Sequence, residues 1–143
     1  MTKGEIAKNY FLSGKNCSQS VALAFKEELG LSERDIEKLT IGLGGGLARL
    51  RLTCGVVSGM AIVLGSLFEK EGKAKAYAVI QSACDKFKKE TGSLICGELL
   101  SGVNSDTSPN PEERTKEYYK KRPCADLCLL GADVVEQTIK EYI

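Results

Sequence analysis

The sequence predicts an all-α protein, a single domain folded as a multi-helix bundle of about six to eight helices. Apolar residues recur every three or four positions along most of the chain, and helix-capping residues and glycines separate these periodic stretches. No stretch alternates apolar and polar residues as a half-buried strand does. A chain of 143 residues fits one domain, 1–143, and is long enough to bury a core.

The first two helices are predicted on either side of Gly14. The apolar stripe of the first helix consists of Ile6, Ala7, Tyr10 and Phe11. Asn16 is the expected N-cap of the second helix, and Gln19 three residues later completes a capping-box pattern. This places Cys17 at the first helical position, on the apolar face of a helix that runs to Gly30.

A third helix is predicted to begin after Ser32, with Asp35 in its first turn. Its inward residues are expected to be Ile36, Leu39 and Thr40. This helix leads into the glycine cluster 42-GLGGG-46, which has neither the Gly-Lys-Ser/Thr ending of a P-loop nor a preceding strand. The cluster therefore favours a tight bend or a close approach between backbones over a nucleotide site.

The central helix is predicted near 54–68, with Thr53 as its cap and Cys54 as its first residue. Apolar residues on all sides indicate that this helix is buried. Its small-residue face, against which another backbone can pack closely, consists of Gly55, Ser58 and Gly59. The uncharged run 52–68 approaches the length of a membrane span, but its glycines and serines favour a core helix, so no membrane span is predicted.

The C-terminal half predicts further helices separated by one loop. A long helix covers 72–91 and a short helix follows around 96–100. Turn-forming residues make 101–111 an internal loop. Another helix is predicted to open at Asn110-Pro111 and to break at a proline, after which the last helix starts near Cys124. The inward residues of the long helix are expected to be Ala76, Ile80, Ala83, Cys84 and Phe87.

Composition excludes several classes of function. The formal net charge is +1 and no basic stripe is present, so nucleic acid is not an expected partner. The chain has no histidine, which excludes Cys–His and Ser–His catalysis, histidine-ligated haem and mixed Cys/His zinc sites. The N-terminus lacks the apolar core of a signal peptide, which predicts a cytoplasmic protein.

Six cysteines are the candidate functional residues. Structural disulfides are disfavoured in the cytoplasm, so this number of thiols suggests metal binding, redox chemistry or core filling. Four of them fall at predicted helix starts, where unpaired N–H groups and the helix dipole favour a thiolate: Cys17, Cys54, Cys96 and Cys124. Cys84 lies mid-helix among apolar residues and is predicted to be core. Cys128, one turn beyond Cys124, fits a further metal ligand and a core residue equally well.

Five motifs of the chain resemble the C_GCAxxG_C_C family of redox-active prokaryotic proteins. The motifs are 16-NCSQSV-21, 42-GLGGG-46, 54-CGVVSG-59, 95-ICGEL-99 and 123-PCADL-127. The four cysteines of the family pattern correspond to Cys17, Cys54, Cys96 and Cys124, and the other two cysteines lie outside it. The chain departs from the pattern at Val56, where the family usually has alanine and where the bulkier side chain narrows a site.

The chain is also similar to the C-terminal part of split-Soret cytochromes, which carry haem elsewhere in their chains. A Cys-x-x-Cys-His haem attachment motif is absent from this sequence. Both resemblances imply a related fold and a redox role, and neither supplies a reaction.

The leading hypothesis is a thiol redox protein in which Cys17, Cys54, Cys96 and Cys124 converge. One pair would cycle between dithiol and disulfide, and the glycines beside Cys54 favour it as a member because they leave its sulfur approachable. No cofactor is required, and four cysteines allow three pairings. A redox partner protein of unknown identity is expected, and a homodimer is compatible with the sequence.

Two alternatives stay open at this point. The same four cysteines could instead hold an iron–sulfur cluster or a thiophilic metal ion, with Cys128 as a further ligand. In the third hypothesis the chain is a non-catalytic helical interaction module whose cysteines are simply buried.

Overall fold

A computed structural model describes residues 1–103 and 106–143 and confirms the all-α class. The described residues form nine α-helices, two short 3₁₀ segments (Ile41–Leu43 and Glu69–Glu71) and no strand. The helices are α1 (Lys3–Leu12), α2 (Cys17–Ala24), α3 (Lys26–Leu29), α4 (Glu33–Thr40), α5 (Gly55–Phe68), α6 (Lys73–Thr91), α7 (Cys96–Leu99), α8 (Lys116–Lys121) and α9 (Cys124–Tyr142).

Helix α5 is the centre of the bundle, as its sequence predicts. Helices α2, α6 and α9 pack around it, and α1 closes the bundle by packing on α2 and α9. Its inward side chains are fully buried: Val56, Met60, Val63 and Leu64. Burial of each such side chain stabilises the fold by about 1.5–3 kcal/mol, so this helix anchors the segments around it.

Glycines let α2 and α5 approach each other closely, as the small-residue face predicts. A Cβ on Gly59 would lie 2.9 Å from the Cβ of Val21 and 3.1 Å from the carbonyl oxygen of Ser18. A Cβ on Gly55 would lie 3.1 Å from the Cβ of Cys17. The start of α2 therefore lies directly against the start of α5, and each start carries a cysteine.

Capping residues set the start of two helices as the sequence predicts. The Asn16 side chain accepts from the N–H of Gln19 and the Gln19 side chain accepts from the N–H of Asn16, which completes the capping box of α2. The Ser32 side chain accepts from the N–H of Asp35 at the start of α4. Both caps satisfy N–H groups that a helix terminus otherwise leaves unpaired.

Two predictions about the second and third helices of the sequence are wrong. The second helix does not run to Gly30, because it ends at Ala24 and the next residue, Phe25, is buried in the core. Lys3 Nζ donates to the carbonyl of Ala24 at this helix end, at 3.1 Å. Leu39 is exposed rather than inward, because the short α4 buries only the stripe of Ile36 and Thr40.

The helix predicted to open at Asn110-Pro111 begins only at Lys116, where the Thr115 side chain caps it. The residues before it are non-helical, and Glu112 and Arg114 bind other parts of the protein instead of starting a helix. The loop predicted at 101–111 is non-helical over 101–103 and 106–111, and its residues 104 and 105 lie outside the described residues. No helix in the described ranges is long and apolar enough to cross a membrane.

Candidate functional site

The cysteines predicted at helix starts surround one cavity of about 660 Å³. Cys17 is the first residue of α2, Cys96 the first of α7 and Cys124 the first of α9. Cys54 is the N-cap of α5 instead of its first residue, because the helix begins one position later than predicted. All four side chains line the cavity, so helix starts that are far apart in the sequence meet at one place.

A short antiparallel pairing positions Cys54 and Cys96 at the cavity, on either side of its Thr53–Ile95 bridge. The N–H of Cys54 donates to the carbonyl of Leu94 at 2.9 Å, and the N–H of Cys96 donates to the carbonyl of Leu52 at 2.6 Å. Thr53, predicted to cap α5, instead forms the single bridge of this pairing. The pairing fixes two cavity cysteines through backbone bonds that no side-chain substitution removes.

The side chains of Cys17 and Cys124 lie close enough for each thiol to shift the pKa of the other, and Cys17 also lies near Cys128. Because Cys124 and Cys128 lie one turn apart on α9, both lie near the start of α2. Cys128 is fully buried in the core and does not line the cavity, whereas Cys17 and Cys124 do. The two halves of the chain therefore bring these cysteines close together at the cavity wall.

Burial keeps the Cys54 thiol protonated at neutral pH. It raises the pKa of Cys54 from 9.0 to about 12, although the N–H groups of Val56 and Val57 at the start of α5 oppose the shift. These N–H groups face the sulfur without closing a cap hydrogen bond. The helix start thus favours the thiolate, as the sequence predicts. Desolvation outweighs it, however, so the pKa of Cys54 rises instead of falling.

The proximity of Cys17 and Cys124 shifts the pKa values of the two thiols in opposite directions. The neighbouring Cys124 lowers the pKa of Cys17, but Cys128 and burial outweigh this, so the pKa stays well above its usual range. The neighbouring Cys17 and burial in turn raise the pKa of Cys124. Both thiols therefore keep a raised pKa.

Four arginines line the cavity beside the cysteines, and the sequence analysis did not single them out. Arg51 Nη1 lies 3.9 Å from Cys96 Sγ and lowers the pKa of that thiol, which burial raises overall. The charges of Arg122 and Arg114 lower the pKa of Cys124, whereas burial raises it. The fourth, Arg49, lies two residues before Arg51, directly after the glycine cluster.

The glycine cluster bends the chain into the cavity wall. Gly45, Gly46 and Leu47 to Arg49 all have left-handed backbone with φ between 49° and 72°, and Arg51 follows at 63°. A Cβ on Gly46 would lie 2.6 Å from the Cβ of Cys96. One on Gly44 would lie 2.7 Å from the Cβ of Asn16. The glycines therefore pack against the site, as the predicted close approach requires.

All six cysteines are free thiols, and Cys84, predicted to be core, lies partly buried on α6 away from the cavity. Within the described part of the chain, no group of three or more cysteine, aspartate or glutamate side chains is arranged to hold a metal ion. The arrangement suits reactions between sulfur atoms, because two thiols in contact can join as a disulfide after a small movement.

These features define an all-helical protein with four cysteines, each at the start of a different helix, around one cavity. The chain belongs to the family described as "putative redox-active protein (C_GCAxxG_C_C)", whose model matches residues 15–138. The match includes all four cavity cysteines. Searches of curated proteins and of solved structures find no match to the chain.

Proposed function

We propose that the protein is a thiol–disulfide redox protein in which Cys17 and Cys124 cycle between dithiol and disulfide. The observation that carries this proposal is the proximity of these two thiols, which shift each other's pKa and both line the cavity. Oxidation joins the two sulfurs and releases two protons and two electrons to an acceptor. The family to which the chain belongs supports the redox class of this function.

The geometry favours this pair over one that contains Cys54, which the sequence favoured. The sulfur of Cys54 faces the N–H groups of Val56 and Val57, and it influences Cys17 and Cys124 only through its charge. We assign Cys54 and Cys96 to the wall beside the reacting pair. In that position either of them, once it loses its proton, can receive the disulfide by exchange, because a thiolate attacks a neighbouring disulfide and the departing sulfur takes up the proton.

Cys17 is the proposed nucleophile. The neighbouring Cys124 lowers its pKa, and the thiolate is the form that attacks a disulfide. The raised pKa of Cys17 makes this thiolate a minor species at neutral pH. The reduced protein therefore rests as a dithiol, which fits the cytoplasmic location that we propose for it.

A redox titration of single variants tests the assignment. The wild-type protein is expected to lose two thiols in one reversible two-electron step, and Cys17→Ser and Cys124→Ser are each expected to abolish that step. Cys84→Ser is the matched control, since this cysteine lies outside the cavity. A two-electron step of unchanged midpoint in both Cys17→Ser and Cys124→Ser would refute the pairing.

The hypothesis of a cluster or metal ion makes a different prediction. An iron–sulfur cluster bound by the four cavity cysteines, with or without Cys128, would give visible absorption and bound iron after anaerobic isolation. A thiophilic metal would appear in elemental analysis. We expect a colourless protein with free thiols, and stoichiometric metal would replace the thiol–disulfide proposal. An interaction module with inert thiols would resist oxidation altogether.

A further inference from the structure

We propose that the oxidant of this site is a small anionic disulfide, one whose two halves carry carboxylates and which binds inside the cavity. This inference rests on the proposed thiol–disulfide function and specifies its substrate class. Three features of the cavity carry it: its enclosure of the sulfurs, its volume and its charge.

Enclosure restricts what can reach the sulfurs. Cys54 is 5% exposed and Cys96 is 8% exposed, and Cys17 and Cys124, which are partly buried, also line the cavity. A small disulfide that enters the cavity therefore lies beside all four sulfurs. The volume of about 660 Å³ is typical of small-molecule sites, which range over roughly 300–1,000 Å³.

The charge of the cavity wall is positive. Among the described residues that line it, the charged side chains are those of Arg49, Arg51, Arg114, Arg122 and a single carboxylate, Glu112. Glu112 pairs with Arg122 at 3.2 Å. From outside the wall, Asp106 pairs with Arg49 at 3.4 Å.

Two of these arginines hold their positions without a carboxylate partner among the described residues. Arg51 donates to the backbone carbonyl of Asp106 at 3.0 Å, and Arg114 donates to the carbonyls of Phe11 and Lys15. Neutral carbonyls orient both guanidinium groups and do not neutralise their charge, and the nearby Asp106 carboxylate, which pairs with Arg49, also attracts Arg51. An enclosed wall with apolar neighbours strengthens the attraction of such charges for an anion.

The proposed step balances without a further reagent. The Cys17 thiolate attacks one sulfur of the bound disulfide, its S–S bond breaks, and one half leaves as a thiolate. The Cys124 thiol then gives up its proton and attacks the Cys17 sulfur of the mixed disulfide, which releases the second half. The protein loses two electrons to the ligand, and the two protons of the dithiol leave with the two product thiols.

The experiment compares three disulfides of similar size and different charge: 3,3′-dithiodipropionate (anionic), bis(2-hydroxyethyl) disulfide (neutral) and cystamine (cationic). Each oxidises the reduced full-length protein at one pH, and intact mass records the loss of hydrogen. Each rate is divided by the rate of the same disulfide with free cysteine, which removes intrinsic reactivity. We expect the anionic compound to be favoured over the cationic one by about tenfold or more, and added salt to reduce this ratio.

Variants test the origin of the preference. Arg51→Gln is expected to lower the ratio several-fold and Arg51→Lys to retain most of it, whereas Lys89→Gln, on an exposed position of α6, should leave it unchanged. Equal or reversed normalised rates of the three disulfides in the wild-type protein would overturn the inference and leave the proposed function standing. Failure of all three to oxidise the protein would overturn the proposed function itself.

Discussion

Opposing local effects decide the protonation of each cavity cysteine. At Cys54 the N–H groups of the helix start favour the thiolate, and the removal of water favours the thiol. Burial is the larger effect, so the pKa rises to about 12. At Cys17 the neighbouring Cys124 lowers the pKa, as a helix start does, and is also outweighed. The reduced site is consequently a set of neutral thiols beside arginines.

The raised pKa of Cys54 predicts that the reduced protein loses stability in alkali. A group whose pKa is higher in the folded state stabilises the fold below its unfolded value and stops doing so as pH passes the folded value. For Cys54 this window runs from pH 9.0 to about 12. Denaturant unfolding under reducing conditions should show that the free energy of unfolding falls less over this pH window in Cys54→Ala than in the wild-type protein. An identical pH dependence in that variant would contradict the assignment.

The left-handed segment that follows the first glycines is a strained element. Three consecutive residues with side chains, Leu47, Ala48 and Arg49, adopt positive φ, which costs about 1–2 kcal/mol for each residue. Hydrogen bonds such as that from Leu52 N–H to the carbonyl of Gly46 at 2.8 Å hold the conformation. The strain lets the segment bring Arg49 and Arg51 to the cavity, and backbone strain of this kind is concentrated at functional sites.

A substitution that relieves the backbone strain at Ala48 tests this account directly. Ala48→Gly should leave the fold as stable or stabilise it by up to about 1 kcal/mol, because glycine adopts positive φ freely. The matched control is Ala78→Gly at an exposed position inside α6, which should destabilise by about 1 kcal/mol. Chemical denaturation of both variants measures the difference. Equal losses of stability in the two variants would show that Ala48 is not strained.

The close approach of α2 and α5 is the second element on which the site depends. Gly59→Ala should destabilise by about 1–3 kcal/mol, because its Cβ would lie 3.1 Å from a backbone oxygen and force the helices apart. Gly65→Ala lies in the same helix, where a Cβ has only an ordinary contact at 3.7 Å with Ile80. That control should be neutral or stabilising. Equal effects of the two substitutions on unfolding would refute the close approach.

Local signals in the sequence were sufficient to predict some of the helix boundaries and the close approach of two helices. The Asn16 capping box and the small residues of α5 have direct residue-type signatures, and the structure has both. The break at Phe25 and the late start of α8 have none, because long-range contacts of Lys3, Glu112 and Arg114 determine them. The left-handed backbone of Leu47 to Arg49 was equally unpredictable, since these residue types usually avoid it.

At the scale of the whole molecule, the fold joins the first and last parts of the chain at the site. Helix α1 packs on α9, and Cys17 of α2 meets Cys124 of α9. Sequence spacing alone could not predict this contact, because three pairings of four cysteines are possible. The cluster of four arginines was unpredictable for a related reason. Arg49 and Arg51 are distant in sequence from Arg114 and Arg122, and only the fold brings them to one cavity.

A disulfide between Cys17 and Cys124 would close a loop of roughly 100 residues and should stabilise the oxidised protein. The loss of chain entropy in the unfolded state predicts a gain of about 4–5 kcal/mol for a loop of that length. Denaturant unfolding of the oxidised and reduced proteins measures this gain, and Cys17→Ser should show none. Equal stability of both redox forms of the wild-type protein would contradict a bond across so long a loop.

The most direct test of the central claim is a peptide map of the protein after mild oxidation. The reduced protein is oxidised, its remaining thiols are alkylated, and proteolytic fragments are identified by mass. We predict one cross-linked pair of fragments that contains Cys17 and Cys124, with Cys54, Cys84, Cys96 and Cys128 alkylated after unfolding. A first-formed disulfide between Cys54 and Cys96, or alkylation of Cys17 and Cys124 in a fully oxidised sample, would contradict it.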